Sequence, residues 1–212
     1  MPSLGEIRRT NPHLDEFIEL RNPTGGPVEF FNTNGAWRLN GGVDFTFATN
    51  FTLGSGDYLL VVNFNPATNA AQLAAFKTLY GITNAGLVIV GPYAGKLANN
   101  SDRVALEKPQ HPDGTNGLVD WVIVDEVIYA DQSPWPCGSD GTGNSLQRLS
   151  AAAHGGDPAN WVAEFPTAGR PRAMLPAGLA VIVNQPQSRA VPTNGSASFS
   201  VSVCGSPPFT YQ

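Results

Sequence analysis

Short apolar runs separated by Gly, Pro and Asn clusters recur along the chain, the pattern of β-strands joined by tight turns. Leu4–Ile7 and Glu16–Leu20 read as strands, the second closed by the turn Asn22-Pro-Thr-Gly-Gly26. Val28–Phe31 and Ala36–Leu39 follow, and Asn40-Gly-Gly42 turns the chain into Val43–Phe47. There the alternation is strict, with Val43, Phe45 and Phe47 on one face and Asp44 and Thr46 on the other. Asp57–Val62 is almost continuously apolar, as in a strand covered on both faces, and Leu87–Val90 between two glycines reads the same way. Arg103–Glu107 and Trp121–Tyr129 complete the set, the latter long enough to hold a bulge or bend.

One segment breaks this period. Ala70, Leu73, Ala74, Phe76 and Leu79 fall near helical spacing, with Pro66 placed for a helix entrance and Gly81 for a stop. The expectation is one short helix near residues 67–80, inserted between two strands and laid against the sheets. Pro166, Gly169, Pro171, Pro176 and Gly178 then crowd together and mark a linker. Beyond it, Leu179–Val183 and the alternating Ala197–Val203 read as strands, with Phe199, Val201 and Val203 on one face. The predicted organisation is an all-β domain over 1–171, a linker over 172–178 and the first strands of an incomplete second β-domain over 179–212. Two or three strands form no stable domain alone, so this tail either pairs with the first domain or belongs to a longer protein.

Composition sharpens the class. The chain is 42% hydrophobic but only 14% charged, against about 25% in an ordinary globular protein. With 23 glycines and 18 prolines among 212 residues, it is turn-rich yet too apolar to be disordered. Net charge is -5, and the basic residues are scattered with Arg8-Arg9 the one adjacent pair, which argues against nucleic acid and against anionic membrane surfaces. No apolar run approaches the length of a membrane span, so no direct membrane insertion is expected, and residues 1–10 lack a charged-then-apolar signal. Cys137 and Cys204 form neither a disulfide framework nor a metal pair. Two free thiols is the expectation, a bridge between predicted domains the alternative.

The candidate chemistry is sparse. His111 and Asp113 lie in a His-Pro-Asp-Gly turn, and His154 stands three before Asp157 in a glycine-rich loop, neither with the further ligands a zinc site needs. Asp140-Gly-Thr-Gly-Asn144 invites a calcium reading, but the EF-hand spacing fails, which leaves an Asp-Gly turn or a different calcium site using Asp131, Asp140 or Asp157. No nucleophile elbow, Cys–His pairing or phosphate loop is present, so no catalytic residue, cofactor or metal is assigned. Trp135 between Pro134 and Pro136 is either a rigid platform for a sugar or partner, or a buried corner residue, with burial favoured. Trp37, Trp121 and Trp161 read as core.

The order of motifs resembles a known family. Glu6, Asp15–Leu20, Asn22-Pro23, Trp37–Leu39, Gly42–Phe47, Tyr58–Val62 and Asp125–Tyr129 are followed by Ser133–Pro136, Asp140–Arg148 and Asp157–Trp161. Together, over about residues 4–171, these are similar to the bacterial lamin-tail domain. The resemblance implies an immunoglobulin-like β-sandwich with no family catalytic motif to carry over. It also implies a protein-interaction or adhesion role in a secreted or cell-surface multidomain protein, contacting a protein or cell-surface polymer and covalently linked to further domains. A carbohydrate-binding module, or a calcium-dependent module attached to a hydrolase, is the alternative. Gln185–Ser188, Gly195–Val201 and Gly205–Gln212 resemble the opening of bacterial immunoglobulin-like repeats, though Cys204 is displaced from the usual cysteine position, near Val201.

Overall fold

A computed structural model describes residues 1–9, 13–112, 118–139, 143–172, 181–204 and 210. The chain divides into two units, Met1–Arg172 and Ala173–Gln212. The strands are β1 (Ser3–Arg8), β2 (Phe17–Arg21), β3 (Val28–Glu29), β4 (Phe31–Asn32), β5 (Gly35–Ala36), β6 (Arg38–Gly41), β7 (Val43–Thr46), β8 (Thr52–Leu53) and β9 (Tyr58–Val62). One helix, α1 (Ala70–Leu79), precedes β10 (Val88–Val90), β11 (Ala94–Gly95), β12 (Ser101–Gln110), β13 (Asp120–Ala130), β14 (Ser145–Arg148) and β15 (Trp161–Glu164). The second unit contributes β16 (Val181–Asn184) and β17 (Ser202–Cys204), an antiparallel pair.

The first unit is built on a six-stranded sheet, β10-β9-β2-β1-β14-β15, and a five-stranded sheet, β11-β7-β6-β12-β13, with the small ribbons β3-β8 and β4-β5. All pairings are antiparallel except β9 with β10, which the intervening helix makes parallel. Both sheets turn apolar side chains into one core: Leu4, Ile7, Ile18, Leu20, Leu59 and Val61 from the first, and Leu39, Val43, Val104, Leu106, Val127 and Tyr129 from the second. A one-residue slip in any of these strands would turn its set outward, at about 1.5–3 kcal/mol per large side chain, and this holds the register. The strict alternation of Val43–Phe47 is realised: Val43 and Phe47 are buried, Asp44 and Thr46 exposed. The bend expected in the long β13 is a register shift opposite Leu106 and Glu107, which leaves Val124 without a paired residue.

The outer face of the six-stranded sheet is also covered. Leu60 and Val62 alternate with the core residues of β9 and join Phe17, Phe64, Phe76, Tyr80, Leu87 and Ala168 in a second apolar cluster. The continuous apolar run of residues 58–62 thus serves two cores. Helix α1 starts three residues later than Pro66 suggested, because Asn69 is the N-cap and accepts from the Gln72 amide. It stops as expected at Gly81, whose φ is +60°, with Ile82 N–H donating to Lys77 O and Gly81 N–H to Thr78 O, the Schellman arrangement. Of its apolar stripe only Phe76 is fully buried, in edge-to-face contact with Phe17, Phe64 and Tyr80, while Leu79 stays exposed.

Several expectations are corrected. Val28–Phe31 is not one strand: the chain kinks at the buried Phe30, and the pieces pair separately with β8 and β5. Leu87–Val90 is an edge strand with Val88 exposed, unlike the doubly covered β9. Trp121 is half-buried on the outer face of the five-stranded sheet, beneath the Arg38 guanidinium at 3.8 Å. Arg38 continues into the ion-pair chain Glu107–Arg103–Glu126. Neither cysteine is a free thiol: Cys137 and Cys204 are both disulfide-bonded. Within the second unit only Ser202–Cys204 of the alternating segment is strand, and Phe199 is exposed. Most of the expected linker, residues 173–178, lies outside the described residues.

Candidate functional site

Two carboxylates meet where the six-stranded sheet is irregular. Leu4 and Ile7 both face the main core although they are three apart, so β1 must depart from simple alternation, and its register against β2 shifts between Leu4 and Glu6. The shift sets Glu6 directly opposite Glu19, both buried, on the outer face of the sheet. Gly5 permits this, since a Cβ there would press against Glu19 Oε1.

The segment 165–170, following β15, closes over the pair as a strap. Glu6 accepts from Ser145 Oγ at 2.6 Å, from Thr167 Oγ1 at 2.9 Å and from Thr167 N at 3.1 Å. Gly169 N donates to Glu19 Oε2 at 2.7 Å. Between these two anchors Ala168 drops into the apolar cluster, and Gly169, at φ +75°, has no room for a Cβ beside Leu87. Gln147 Nε2 donates to Phe165 O at 2.5 Å, and Arg172 Nη1 donates to both carboxylate oxygens of Glu164 beyond the strap. Burial pushes the Glu6 carboxyl up to about 7, against the pull of its hydrogen bonds and of Arg8. Burial and the neighbouring Glu6 charge push Glu19 well above the usual carboxylate range. The pair therefore retains a proton near neutrality: Glu6, with more donors, is the better anion, and Glu19 is the better holder of the proton.

Beside the strap lies an open depression of about 550 Å³, walled by Arg8, Asp15, Leu79, Tyr80, Phe165 and Arg170 among others. Phe165 and Leu79 are 65% and 58% exposed, so its rim is apolar. Among the described residues, Arg8 Nη1 donates to Asn144 O and Arg9 O while its buried Nε has no partner, and the Arg170 side chain makes one long contact, to Tyr80 O at 3.4 Å. Tyr80 donates to Asp15 O at 2.5 Å, and burial pushes its hydroxyl up to about 12, so it is a donor at any physiological pH. Chemically this is a surface for an anionic group with apolar flanks.

None of the histidines, aspartates and tryptophans weighed from the sequence as candidate metal, catalytic or ligand-binding residues belongs to it. His111 and His154 are exposed loop residues, and His154 Nδ1 merely accepts from Gly156 N. Asp157 caps a short 3-10 turn through the Ala159 amide, and Asp131 is exposed. Asp113 and Asp140 lie outside the described residues. Among the described residues no group of three or more His, Cys, Asp or Glu is placed to hold a metal. Trp135 is buried against Trp161, whose indole N–H donates to Gly155 O at 2.7 Å. Trp37 is core as expected. Comparisons with protein-family models, with curated proteins and with solved structures gave no match.

Proposed function

We propose that the chain is a non-catalytic interaction module, and that its first unit is an immunoglobulin-like β-sandwich of the bacterial lamin-tail kind. The observation that carries the functional reading is the state of Glu6 and Glu19. A pair of buried carboxylates with raised proton affinity is what acid–base catalysis uses, but here both accept hydrogen bonds from the strap that covers them. Their chemistry goes into holding the chain, and what faces outward is the guanidinium-and-aromatic depression. The family reading rests on the order of motifs, and the places those residues occupy support it. Glu6 anchors the strap, Asn22 is a fully buried turn centre bonded to Gly26, Leu53 and Gly54 carbonyls, and Asp125 pairs with Arg148 across the two sheets.

The partner is a protein segment presenting an acidic group beside apolar side chains, seated between Arg170 and Phe165. Disulfides are most frequent in oxidising compartments, and the oxidised cysteines support a secreted or cell-surface setting. The test is a panel of acidic–aromatic peptides titrated against the wild type, Arg170→Glu and Phe165→Ser. At least a tenfold loss of affinity in both variants is expected, and unchanged binding removes the docking surface. Turnover of ester, phosphate or glycoside substrates that disappears in Glu6→Gln overturns the non-catalytic reading.

A further inference from the structure

We propose that Glu6 and Glu19 form a proton-held clasp, which fastens the 165–170 strap while the pair carries a proton and releases it when the pair carries none. The strap has two polar anchors, Thr167 on Glu6 and Gly169 on Glu19, set side by side across β1 and β2. One shared negative charge is well held by the Ser145 hydroxyl and the Thr167 amide and hydroxyl. Two charges are not. Gly169 N–H is the one donor the strap gives to Glu19, and the two carboxylates then repel in a site closed to water. The strain is relieved by hydration, and the strap is what stands between the pair and solvent.

The surrounding charges leave this balance in place. Arg8 from β1 lowers the proton affinity of Glu6, and Arg21 from β2 lowers that of Glu19, each less than burial raises it. From β9, Tyr58 lies near Glu19 as a neutral phenol, and Tyr80, the C-cap residue of α1, lies near Glu6 likewise. β14 contributes only the neutral Ser145 and Gln147. On the strap, Arg170 turns to Tyr80 O, while Glu164 and Arg172, just outside its two ends, neutralise one another. No cation is salt-bridged to either carboxylate among the described residues. Release therefore comes as pH rises through neutrality, in keeping with the Glu6 carboxyl pushed up to about 7 and with the upward push of burial and of the Glu6 charge on Glu19.

The experiment is amide hydrogen exchange at Thr167 and Gly169 from pH 5 to 9.5 on the full chain and on Glu19→Gln, compared at equal pH so that intrinsic exchange chemistry cancels. Wild-type protection at both amides is expected to fall at least tenfold relative to the variant above neutrality, with core amides of β9 unchanged. Parallel protection in the two proteins at every pH overturns the clasp. Should Glu19→Gln fail to fold, the carboxyl carbon shifts of Glu6 and Glu19 in the wild type serve instead. A step above pH 6.5 that coincides with the loss of strap protection supports the clasp, and two carboxylates already ionised at pH 5 overturn it. On the docking reading, release displaces Phe165 and Arg170, so peptide affinity falls at the same midpoint. Strap release with binding unaltered keeps the clasp and overturns the docking surface.

Discussion

Arg148→Met tests whether the seam between the two sheets depends on a satisfied buried charge. Arg148 lies in β14 of one sheet and Asp125 in β13 of the other, with side chains 5% and 12% exposed. The guanidinium bonds Asp125 directly, and also Leu4 O at 3.3 Å, Ser150 O at 3.1 Å and Ala153 O at 2.5 Å, close to the ring of Trp161. Asp125 Oδ2 has one other donor, the Leu4 amide at 2.8 Å. Methionine keeps most of the stem volume and removes the cation, leaving a buried carboxylate with one hydrogen bond. Breaking a buried pair in this way costs about 3–5 kcal/mol, far beyond the 0–1 kcal/mol of a surface pair. All four tryptophans lie within Met1–Arg172, so indole fluorescence follows the unfolding of this unit alone. With a urea slope of about 2 kcal/mol per molar, the midpoint should drop by about 2 M. Asp125→Asn on top of Arg148→Met removes the stranded charge while keeping an acceptor for Leu4 N–H, so the double variant should regain about 1–2 kcal/mol over the single one. A single-variant cost below about 1 kcal/mol, or a double variant no better than the single, would refute the argument.

Three other expectations follow from the packing and the titrating groups. The folded Glu6 binds its proton more tightly than the unfolded chain, whose carboxyl titrates near 4.5, so its contribution is complete below pH 4.5 and is lost as pH rises to about 7. At about 1.4 kcal/mol per pH unit this amounts to about 3 kcal/mol, and urea unfolding should show it in the wild type but not in Glu6→Gln; equal slopes in the two would contradict it. Phe76→Ala removes the one buried ring of α1, between Phe17, Phe64 and Tyr80, and should cost about 3–5 kcal/mol with reduced helical circular dichroism; a loss under about 1 kcal/mol would mean the helix is held otherwise. Denatured but unreduced chain should show no thiol in a colorimetric titration, and a reactive thiol would contradict the disulfide.

Much of the β framework was legible because each buried strand carries its own record of which faces are covered. The period of two in Val43–Phe47 and the solid apolar run of residues 58–62 translate into one and two covered faces. The helix was legible through its period and its Gly81 stop, but its start was not. The sequence points to Pro66 as the entrance, whereas the helix begins after Asn69, whose side chain accepts from the Gln72 amide. Trp121 was misread because an apolar ring on a strand can be covered from outside as well as inside, here by the stem and guanidinium of Arg38. The cysteines were misread because two thiols without framework or metal-ligand spacing carry no sequence sign of oxidation.

The carboxylate pair escaped the sequence for a more specific reason. Glu6 and Glu19 stand on different strands, and simple antiparallel continuation from the pair Leu4–Leu20 would put Glu6 opposite Ile18, an inward residue. One irregularity at Gly5 advances the register by a residue, brings Ile7 back to the core beside Leu4 and sets the two glutamates face to face. The signal that was available is the spacing of three between Leu4 and Ile7 in a strand otherwise read as regular, with a glycine between them. A period-two strand cannot bury both. The glycine is therefore where the bulge belongs, and once the bulge is placed the acidic neighbour of the strand follows. Why these two carboxylates then stay closed, rather than opening into a reactive cleft, depends on the strap 150 residues away from Glu19, whose Gly169 amide completes the site.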